Sequence, residues 1–287
     1  MLSIITSWRN RQELKQAWPR LAEAAALAGG DLTVVDYSGD RLQLAEQLQD
    51  YDPSVARVAR AAQVAPAARA RVVRVARVEG EPYFNKARAQ NIGAYYGQHE
   101  ILFFCDCDIL INPHEIAELA TEVANSNGTF ATLAGVTEST VNARQAGNVV
   151  RFGYELRIQI ANGRELHIVD FEENAADGTR QAPGLLLVKR TDFLAINGYN
   201  GRLHGWGWED QDMISRLTLA AGLKRIQRGK AIHLSHDDAA RMAHYPAARN
   251  RWESRDRMFR QALSLYDEGD FSGTFSQDHA ALDHRLG

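Results

Sequence analysis

The sequence predicts an α/β fold in which helices flank one central sheet. Residues 2–6 and 32–35 are short apolar strands with a helix-length segment between them, an order that implies parallel pairing through a right-handed crossover. Ile101–Phe104 is an apolar run without a polar break, typical of a strand buried on both faces. Asn162-Gly163 lies between two alternating segments and indicates a hairpin. We therefore also expect a small second β-hairpin sheet.

The first half of the chain alternates predicted strands and helices. Asn10 and Glu13 resemble a capping box before a helix that Gly29-Gly30 ends. Asn112-Pro113 is a good start for another helix. The arginines between residues 57 and 77 are expected on a solvated helical face. Further predictions are a helical Ala/Arg-rich stretch at 41–70, an edge strand at 72–78, a helix opening at 84–93 and an amphipathic helix at 113–123.

The second half is predicted to begin with the hairpin and to end in helices. Glu209, Asp210 and Asp212 fall in the first turn of a predicted helix that continues over 213–221. The other predicted elements are strands at 154–160, 165–171 and 184–188, short strands at 226 and 231–232, and an amphipathic helix around Trp252.

Composition excludes several classes of protein. The chain has 287 residues, a formal charge of −3 and a pI near 6.3, which argues against nucleic acid as the main partner. Two cysteines are too few for a disulfide framework and favour a reducing compartment. No apolar run approaches the roughly 18 residues of a membrane span, and the N-terminus has no signal-peptide layout. We therefore expect a cytoplasmic protein without a membrane span.

Asp106 and Asp108 follow the buried run directly. An unpaired carboxylate inside a core is costly, and ligands of open α/β sheets lie beyond the carboxyl ends of the strands. We therefore expect both side chains to face a cleft, where carboxylate oxygens suit Mn²⁺ or Mg²⁺. The alternative is an Asp-rich turn that caps the next helix. Cys105 and Cys107 alternate with the aspartates and are expected to be small buried groups.

The acids at 209–212 follow two tryptophans, Trp206 and Trp208, separated by Gly207. Acids at a helix N-terminus are common because the helix dipole stabilises them. That explanation leaves the tryptophans unexplained. Aromatic faces beside carboxylates are able to hold a sugar ring and accept its hydroxyl protons. We therefore expect this segment to be functional.

His233 and His236 lie at the end of a short predicted strand. Taken alone they are expected to be surface residues. Together with a carboxylate site they would complete a mixed oxygen and nitrogen shell, which suits Mn²⁺ better than Mg²⁺.

The motifs together resemble a known family. The segments 9–13, 84–93, 106–108, 193–199 and 205–210, followed by His236, occur in the order seen in β-1,4-galactosyltransferases, over roughly residues 2–240. The same segments are similar to chondroitin-polymerase and polypeptide N-acetylgalactosaminyltransferase domains. The resemblance implies a GT-A fold with a Rossmann-like mixed sheet. It divides residues 1–245 into a nucleotide-sugar half (1–110) and an acceptor half (111–245), before a helical extension at 246–287.

The resemblance also implies roles for individual residues. Arg9, Arg11, Asp36, Phe84, Lys86, Asp106 and Trp206 would bind the UDP-sugar donor, with Phe84 against the uracil and Lys86 near the phosphates. Asp108, His236 and His233 would bind Mn²⁺ (or Mg²⁺), His233 replacing a methionine of the family. Glu209 would contact the acceptor, and Asp210 would be the general base.

The implied activity is metal-dependent, inverting transfer of a hexose or N-acetylhexosamine to a hydroxyl of a carbohydrate, peptide or small molecule. Gln181-Ala182-Pro183 and Trp208 depart from the family at positions that select the sugar, so the donor stays open. A bacterial role in polysaccharide or natural-product assembly is expected. The alternatives are a metal-dependent nucleotidyl- or phosphotransferase, for which the tryptophans have no purpose, and a non-catalytic nucleotide-sugar- or carbohydrate-binding protein.

Overall fold

The computed structural model describes residues 1–48, 73–140, 148, 153–171, 174 and 177–283. The strands are β1 (Leu2–Trp8), β2 (Asp31–Tyr37), β3 (Val73–Val78), β4 (Ile101–Phe104), β5 (Ile109–Leu110), β6 (Thr129–Thr132), β7 (Gly135–Glu138), β8 (Gly153–Gln159), β9 (Glu165–Phe171), β10 (Thr179–Arg180), β11 (Leu186–Lys189), β12 (Lys224–Gln227) and β13 (Lys230–His233). The helices are α1 (Leu14–Leu27), α2 (Arg41–Gln47), α3 (Lys86–Tyr96), α4 (Pro113–Asn125), α5 (Arg190–Ala195), α6 (Glu209–Leu219), α7 (Asp238–Met242), α8 (Arg251–Asp267) and α9 (Phe275–Asp283).

A seven-stranded mixed sheet forms the centre of the fold, in the order β12-β6-β11-β4-β1-β2-β3. The predicted strand–helix–strand unit is present: β1 pairs in parallel with β2 and also with β4, so that Ile4 lies between Leu32 and Phe103. β11 is antiparallel to both β4 and β6. The predicted α/β class with a mixed central sheet is therefore confirmed.

Two smaller sheets accompany the central one. β8 and β9 form the predicted antiparallel hairpin around Gly163, whose φ of 85° suits a residue without a Cβ. A four-stranded sheet in the order β10-β7-β13-β5 was not predicted. Its strands are only two or four residues long, too short to show a periodic pattern.

The core is divided between the two faces of the central sheet. All seven residues of β1 are buried, and their side chains alternate between the faces. Ile4 packs in a cluster that includes Leu14 and Phe103, whereas Ile5 packs with Ile92 and Phe104 on the other face. Cys105 and Cys107 are free and buried, as expected. Helices on both faces account for the near-continuous apolar strands.

The start of the first helix differs from the prediction. Asn10 has a φ of 54°, and α1 begins after Glu13 without a side-chain cap, so the proposed capping box is wrong. Asn10 Oδ1 instead accepts a hydrogen bond from the backbone N–H of Asp40, at the start of α2. Asn10 therefore connects the loop after β1 to the loop after β2. Most of the predicted helical stretch at 41–70 lies outside the described residues, apart from α2.

The last helices pack closely on the rest of the chain. Met258 and Ala262 of α8 share an apolar cluster with Leu203 and Trp208. Asp278 of α9 accepts a hydrogen bond from Asn91 Nδ2 of α3 at 2.7 Å. Within the described residues, no helix combines the length and the apolar character that crossing a bilayer requires.

Candidate active site

A cavity of about 500 Å³ opens at the carboxyl ends of β1 and β4. This is the edge where open α/β sheets bind ligands, because their loops converge there. The cavity is lined by all but one of the residues that the sequence assigned to the site: Arg9, Arg11, Phe84, Lys86, Asp106, Asp108, Trp206, Glu209, Asp210, His233 and His236.

Asp108 and the two histidines come together on one wall. His236 Nε2 lies 3.2 Å from Asp108 Oδ2, and His233 Nε2 lies 3.6 Å from the same oxygen. One ligand atom from each of the three residues lies within 4.8 Å of the others. The loop after β4 supplies the carboxylate, whereas β13 and the loop after it supply the imidazoles. Asp108 and His236, which are 128 positions apart in the chain, are thus in direct contact.

The donor set fits a divalent cation. Asp108 Oδ1 is buried and has no hydrogen-bond partner among the described residues. Arg11 Nη2 lies 3.1 Å from Oδ2. Burial opposes ionisation of Asp108, but the attraction of His233 and the close contacts of both imidazoles hold its pKa well below the usual range. The group therefore offers an ionised oxygen and two imidazole nitrogens, which suit Mn²⁺.

Glu138, at the end of β7, contacts His233 through the ring nitrogen that does not face Asp108. Its Oε2 lies 2.7 Å from His233 Nδ1 and accepts a hydrogen bond from Ser235 Oγ. Its Oε1 lies 2.7 Å from Arg180 Nε. Burial would raise the pKa of Glu138, but His233 and Arg180 lower it to about 2. Glu138 was not predicted as a site residue, because β7 is too short to be recognised from the sequence.

Lys86 lies at the centre of an acidic group that also lines the cavity. Its Nζ is 2.8 Å from both Asp106 and Asp210, and 3.5 Å from Glu209. Its side chain is only 9% exposed. Burial opposes the charge of Lys86, but the attraction of Asp106, Asp210 and Glu209 raises its pKa well above the usual value. Lys86 is therefore charged and pairs with three carboxylates, and its predicted position near the phosphates of a donor stays a prediction.

The carboxyl groups of Glu209 and Asp210 are basic for their type. Burial and the neighbouring Asp210 raise the pKa of Glu209 to about 7, although Lys86 opposes the shift. Burial also raises the pKa of Asp210, again against Lys86. Glu209 Oε2 and Asp210 Oδ1 are buried without a hydrogen-bond partner among the described residues.

The helix start at residue 209 is set by an unusual residue. Trp208, the N-cap of α6, has a φ of 73°, a conformation uncommon for a bulky side chain. The next turn places Glu209 and Asp210 toward the cavity. Asp212 instead bonds Arg216 and Tyr266 inside the protein, and both Asp212 and Arg216 are buried. The prediction of acids in the first turn is confirmed, but Asp212 is structural.

The two tryptophans have different surroundings. Trp206 is half-buried at the cavity, where the guanidinium carbons of Arg241 and Arg251 lie 5.7 and 6.0 Å from its ring centre. Trp208 is 6% exposed and packs edge-on against Phe259 of α8, with ring centres 4.6 Å apart. Both tryptophans line the cavity, but α8 buries most of Trp208, so Trp206 is the more accessible of the two.

Phe84 and Arg9, two further predicted donor residues, also line the cavity. Phe84 packs edge-on against Tyr37 and Tyr245, with ring centres 5.6 and 5.5 Å away. Arg9 keeps buried Nε and Nη1 atoms without a partner among the described residues. Tyr245 also lines the cavity. It was not predicted, because no pattern in the sequence marks it as a site residue.

Asp36 is the predicted site residue that the structure does not bring to the cavity. It is fully buried, pairs with Arg77 Nη1 and accepts a hydrogen bond from Gly39 N at 2.9 Å. Its carboxylate stabilises the turn after β2 and does not line the cavity described above.

Known proteins share part of the sequence and the fold of this chain. A family model described as the N-terminal domain of galactosyltransferase matches residues 170–237, which include the start of α6 and both histidines. No curated protein gives a significant match to the sequence. The crystal structure of GalNAc-T7 with UDP, GalNAc and Mn²⁺ matches with a TM-score of 0.58 and 14% identity, over 92% of this chain and 48% of that chain. The chain thus spans about half the length of that protein.

S. aureus TarS (residues 1–349) matches with a TM-score of 0.46 and 14% identity, over 82% of this chain and 58% of that chain. Its complex with UDP matches with the same TM-score at 13% identity. At identities of 13–14%, the likeness to these structures concerns the fold alone. The chain has the GT-A glycosyltransferase fold.

Proposed function

We propose that this chain is a metal-dependent, inverting glycosyltransferase that moves a hexose or N-acetylhexosamine from a UDP-sugar to an acceptor hydroxyl. One observation carries the proposal: a group suited to a divalent cation and a group of basic carboxylates face the same cavity. The fold and the galactosyltransferase match over 170–237 support the same reaction class.

Asp108, His233 and His236 would hold the cation, and GalNAc-T7 was crystallised with Mn²⁺. When bound, the cation would act as a Lewis acid toward the diphosphate of the leaving nucleotide. Arg9 and Arg11 also line the cavity and would add fixed positive charge for that diphosphate. Phe84, which packs against Tyr245, would contact the uracil of the nucleotide.

Asp210 is the proposed general base. Its Oδ2 is held by Lys86, while its Oδ1 has no partner among the described residues. Oδ1 would take the proton of the acceptor hydroxyl as the acceptor oxygen bonds to the anomeric carbon. The bond from that carbon to the diphosphate breaks at the same time. The raised pKa of Asp210 favours this proton transfer, because a more basic carboxylate is a better base.

Glu209 and Trp206 would complete the acceptor side. Glu209 Oε2 is buried without a partner among the described residues and is able to bond a second hydroxyl. The half-buried ring of Trp206 offers an apolar face to a sugar. The acceptor is proposed to be a carbohydrate, a peptide or a small molecule, with bacterial polysaccharide or natural-product assembly in the cytoplasm as the setting.

The test is calorimetry with UDP and a panel of UDP-sugars, with and without Mn²⁺, followed by a screen for metal-dependent sugar release. We expect donor binding to require the metal and at least one UDP-sugar to be hydrolysed slowly. Equal affinity without metal would contradict the proposed site. Metal-dependent binding without turnover of any sugar, with or without acceptors, would favour a binding protein.

His236→Ala should weaken Mn²⁺ binding, because it removes one of three ligands. His279→Ala is the matched control: this histidine of α9 stacks on Tyr95 and does not line the cavity. An unchanged metal titration in His236→Ala would exclude His236 from the ligand set.

A further inference from the structure

We propose that Glu138 is a positioning residue for the metal site: it holds one side of the His233 ring and thereby directs the other ring nitrogen toward Asp108 and His236. The inference rests on the proposed function, since it concerns the same metal site. It adds a residue that neither the sequence analysis nor the resemblance identifies.

The contact determines which nitrogen of His233 is available to a cation. An ionised carboxylate only accepts hydrogen bonds, so the nitrogen that faces it must carry the hydrogen. Glu138 Oε2 lies 2.7 Å from Nδ1, and Arg180 Nε lies 2.7 Å from Oε1, an ion pair that favours the ionised carboxylate. In the neutral ring the lone pair is therefore on Nε2, the atom 3.6 Å from Asp108. A carboxylate behind a ligating histidine sets its tautomer and orientation in this way.

Glu138 is itself held from several sides. Its side chain is 3% exposed. In addition to Arg180 Nε on one oxygen, Ser235 Oγ donates to the other at 2.8 Å. Glu138 and His233 are direct neighbours in the parallel pairing of β7 and β13, and the N–H of Ser139 donates to His233 O. The backbone and the side chains thus restrict the same pair of residues.

A purely structural role predicts a different result. Glu138 and Arg180 join β7 to β10, so their ion pair also stabilises the small sheet. If that were its whole purpose, substitution would lower the stability of the protein and leave the Mn²⁺ affinity of the folded molecules unchanged. The two roles are therefore separable by measuring stability and metal affinity on the same variants.

The experiment measures the Kd of Mn²⁺ by calorimetry for the unsubstituted chain and for Glu138→Gln, Glu138→Ala and Ser235→Ala, with thermal unfolding of each. We expect a loss of affinity of about 10–100-fold for the Glu138 variants, as is typical when the partner of a ligating histidine is removed. Ser235→Ala keeps the carboxylate and should lose less. Because this change is small, it also serves if Glu138→Ala does not fold. Glu81→Gln is the matched control, since Glu81 pairs with Arg88 at 2.8 Å and does not line the cavity.

A second measurement is ¹⁵N NMR of the metal-free chain at alkaline pH. We expect the hydrogen of His233 on Nδ1 in the unsubstituted chain and a mixture of tautomers in Glu138→Ala. Folded Glu138 variants with unchanged Mn²⁺ affinity would overturn the inference while the proposed function stands. An unsubstituted chain that binds no Mn²⁺ would overturn the proposed metal site and the inference with it.

Discussion

Glu209→Gln should stabilise the protein at alkaline pH and have little effect at acidic pH. Burial and the neighbouring Asp210 raise the pKa of Glu209 from 4.5 to about 7, because the ionised form is disfavoured in the folded state. A shift of this size corresponds to about 3 kcal/mol, since one pKa unit is worth about 1.4 kcal/mol. Gln has nearly the same shape and cannot ionise, so this cost is absent in the variant.

The sign of the effect follows from proton linkage. Because the folded-state pKa is higher than the unfolded-state pKa, the folded chain binds more protons between them. The associated stability is fully present below 4.5 and is lost as the pH rises through about 7. The difference in unfolding free energy between Glu209→Gln and the unsubstituted chain should thus grow across this window, then stay constant.

The assay is urea unfolding, followed by circular dichroism, at a series of pH values from acidic to mildly alkaline. Glu165→Gln on β9 is the matched control, because Glu165 is exposed and its substitution should shift stability little at any pH. Parallel stability curves for Glu209→Gln and the unsubstituted chain would refute the reasoning, since they would mean that Glu209 ionises equally easily in both states.

Three further predictions concern the site and its supports. Asp210→Asn should keep UDP binding but slow transfer by about 10²–10⁴-fold, measured by sugar-transfer kinetics; full activity would exclude it as the base. Asp108→Asn should abolish calorimetric Mn²⁺ binding, and a retained signal would place the ion elsewhere. Trp208→Ala should destabilise the protein by about 3–5 kcal/mol in urea unfolding, whereas Trp206→Ala should cost much less and weaken ligand binding instead; equal losses would contradict their different burial.

Long or strongly patterned elements could be predicted from the sequence. The apolar run of β4, the helical spacing in α1 and the Asn-Gly turn between β8 and β9 are local signals, and the structure has all three elements. The strands of the four-stranded sheet, β10-β7-β13-β5, are too short to show a periodic pattern in the sequence. Their formation depends on neighbours distant in the chain, as when His233 of β13 pairs with Glu138 of β7.

The resemblance predicted the site residues, and all of them except Asp36 line the cavity. It did not predict all of their contacts. Asp36 pairs with Arg77, a residue from the third strand, and so remains inside the protein. Trp208 belongs mostly to the core because α8 packs over it, which no local pattern of Gly-Trp-Gly-Trp indicates. In both cases the packing partner lies far along the chain.

The sequence by itself determined the chemistry available to this protein: carboxylates after a buried strand, acids at a helix start and two late histidines. Only the tertiary structure decided that Asp108 joins the two histidines in a candidate metal site, whereas Asp210 joins an acidic group around Lys86. The physical reason is that the charge state of a buried side chain depends on burial and on the groups within a few ångströms. Those neighbours are brought together by strand order, since Asp108 and His236 are 128 residues apart in the chain and 3.2 Å apart in space.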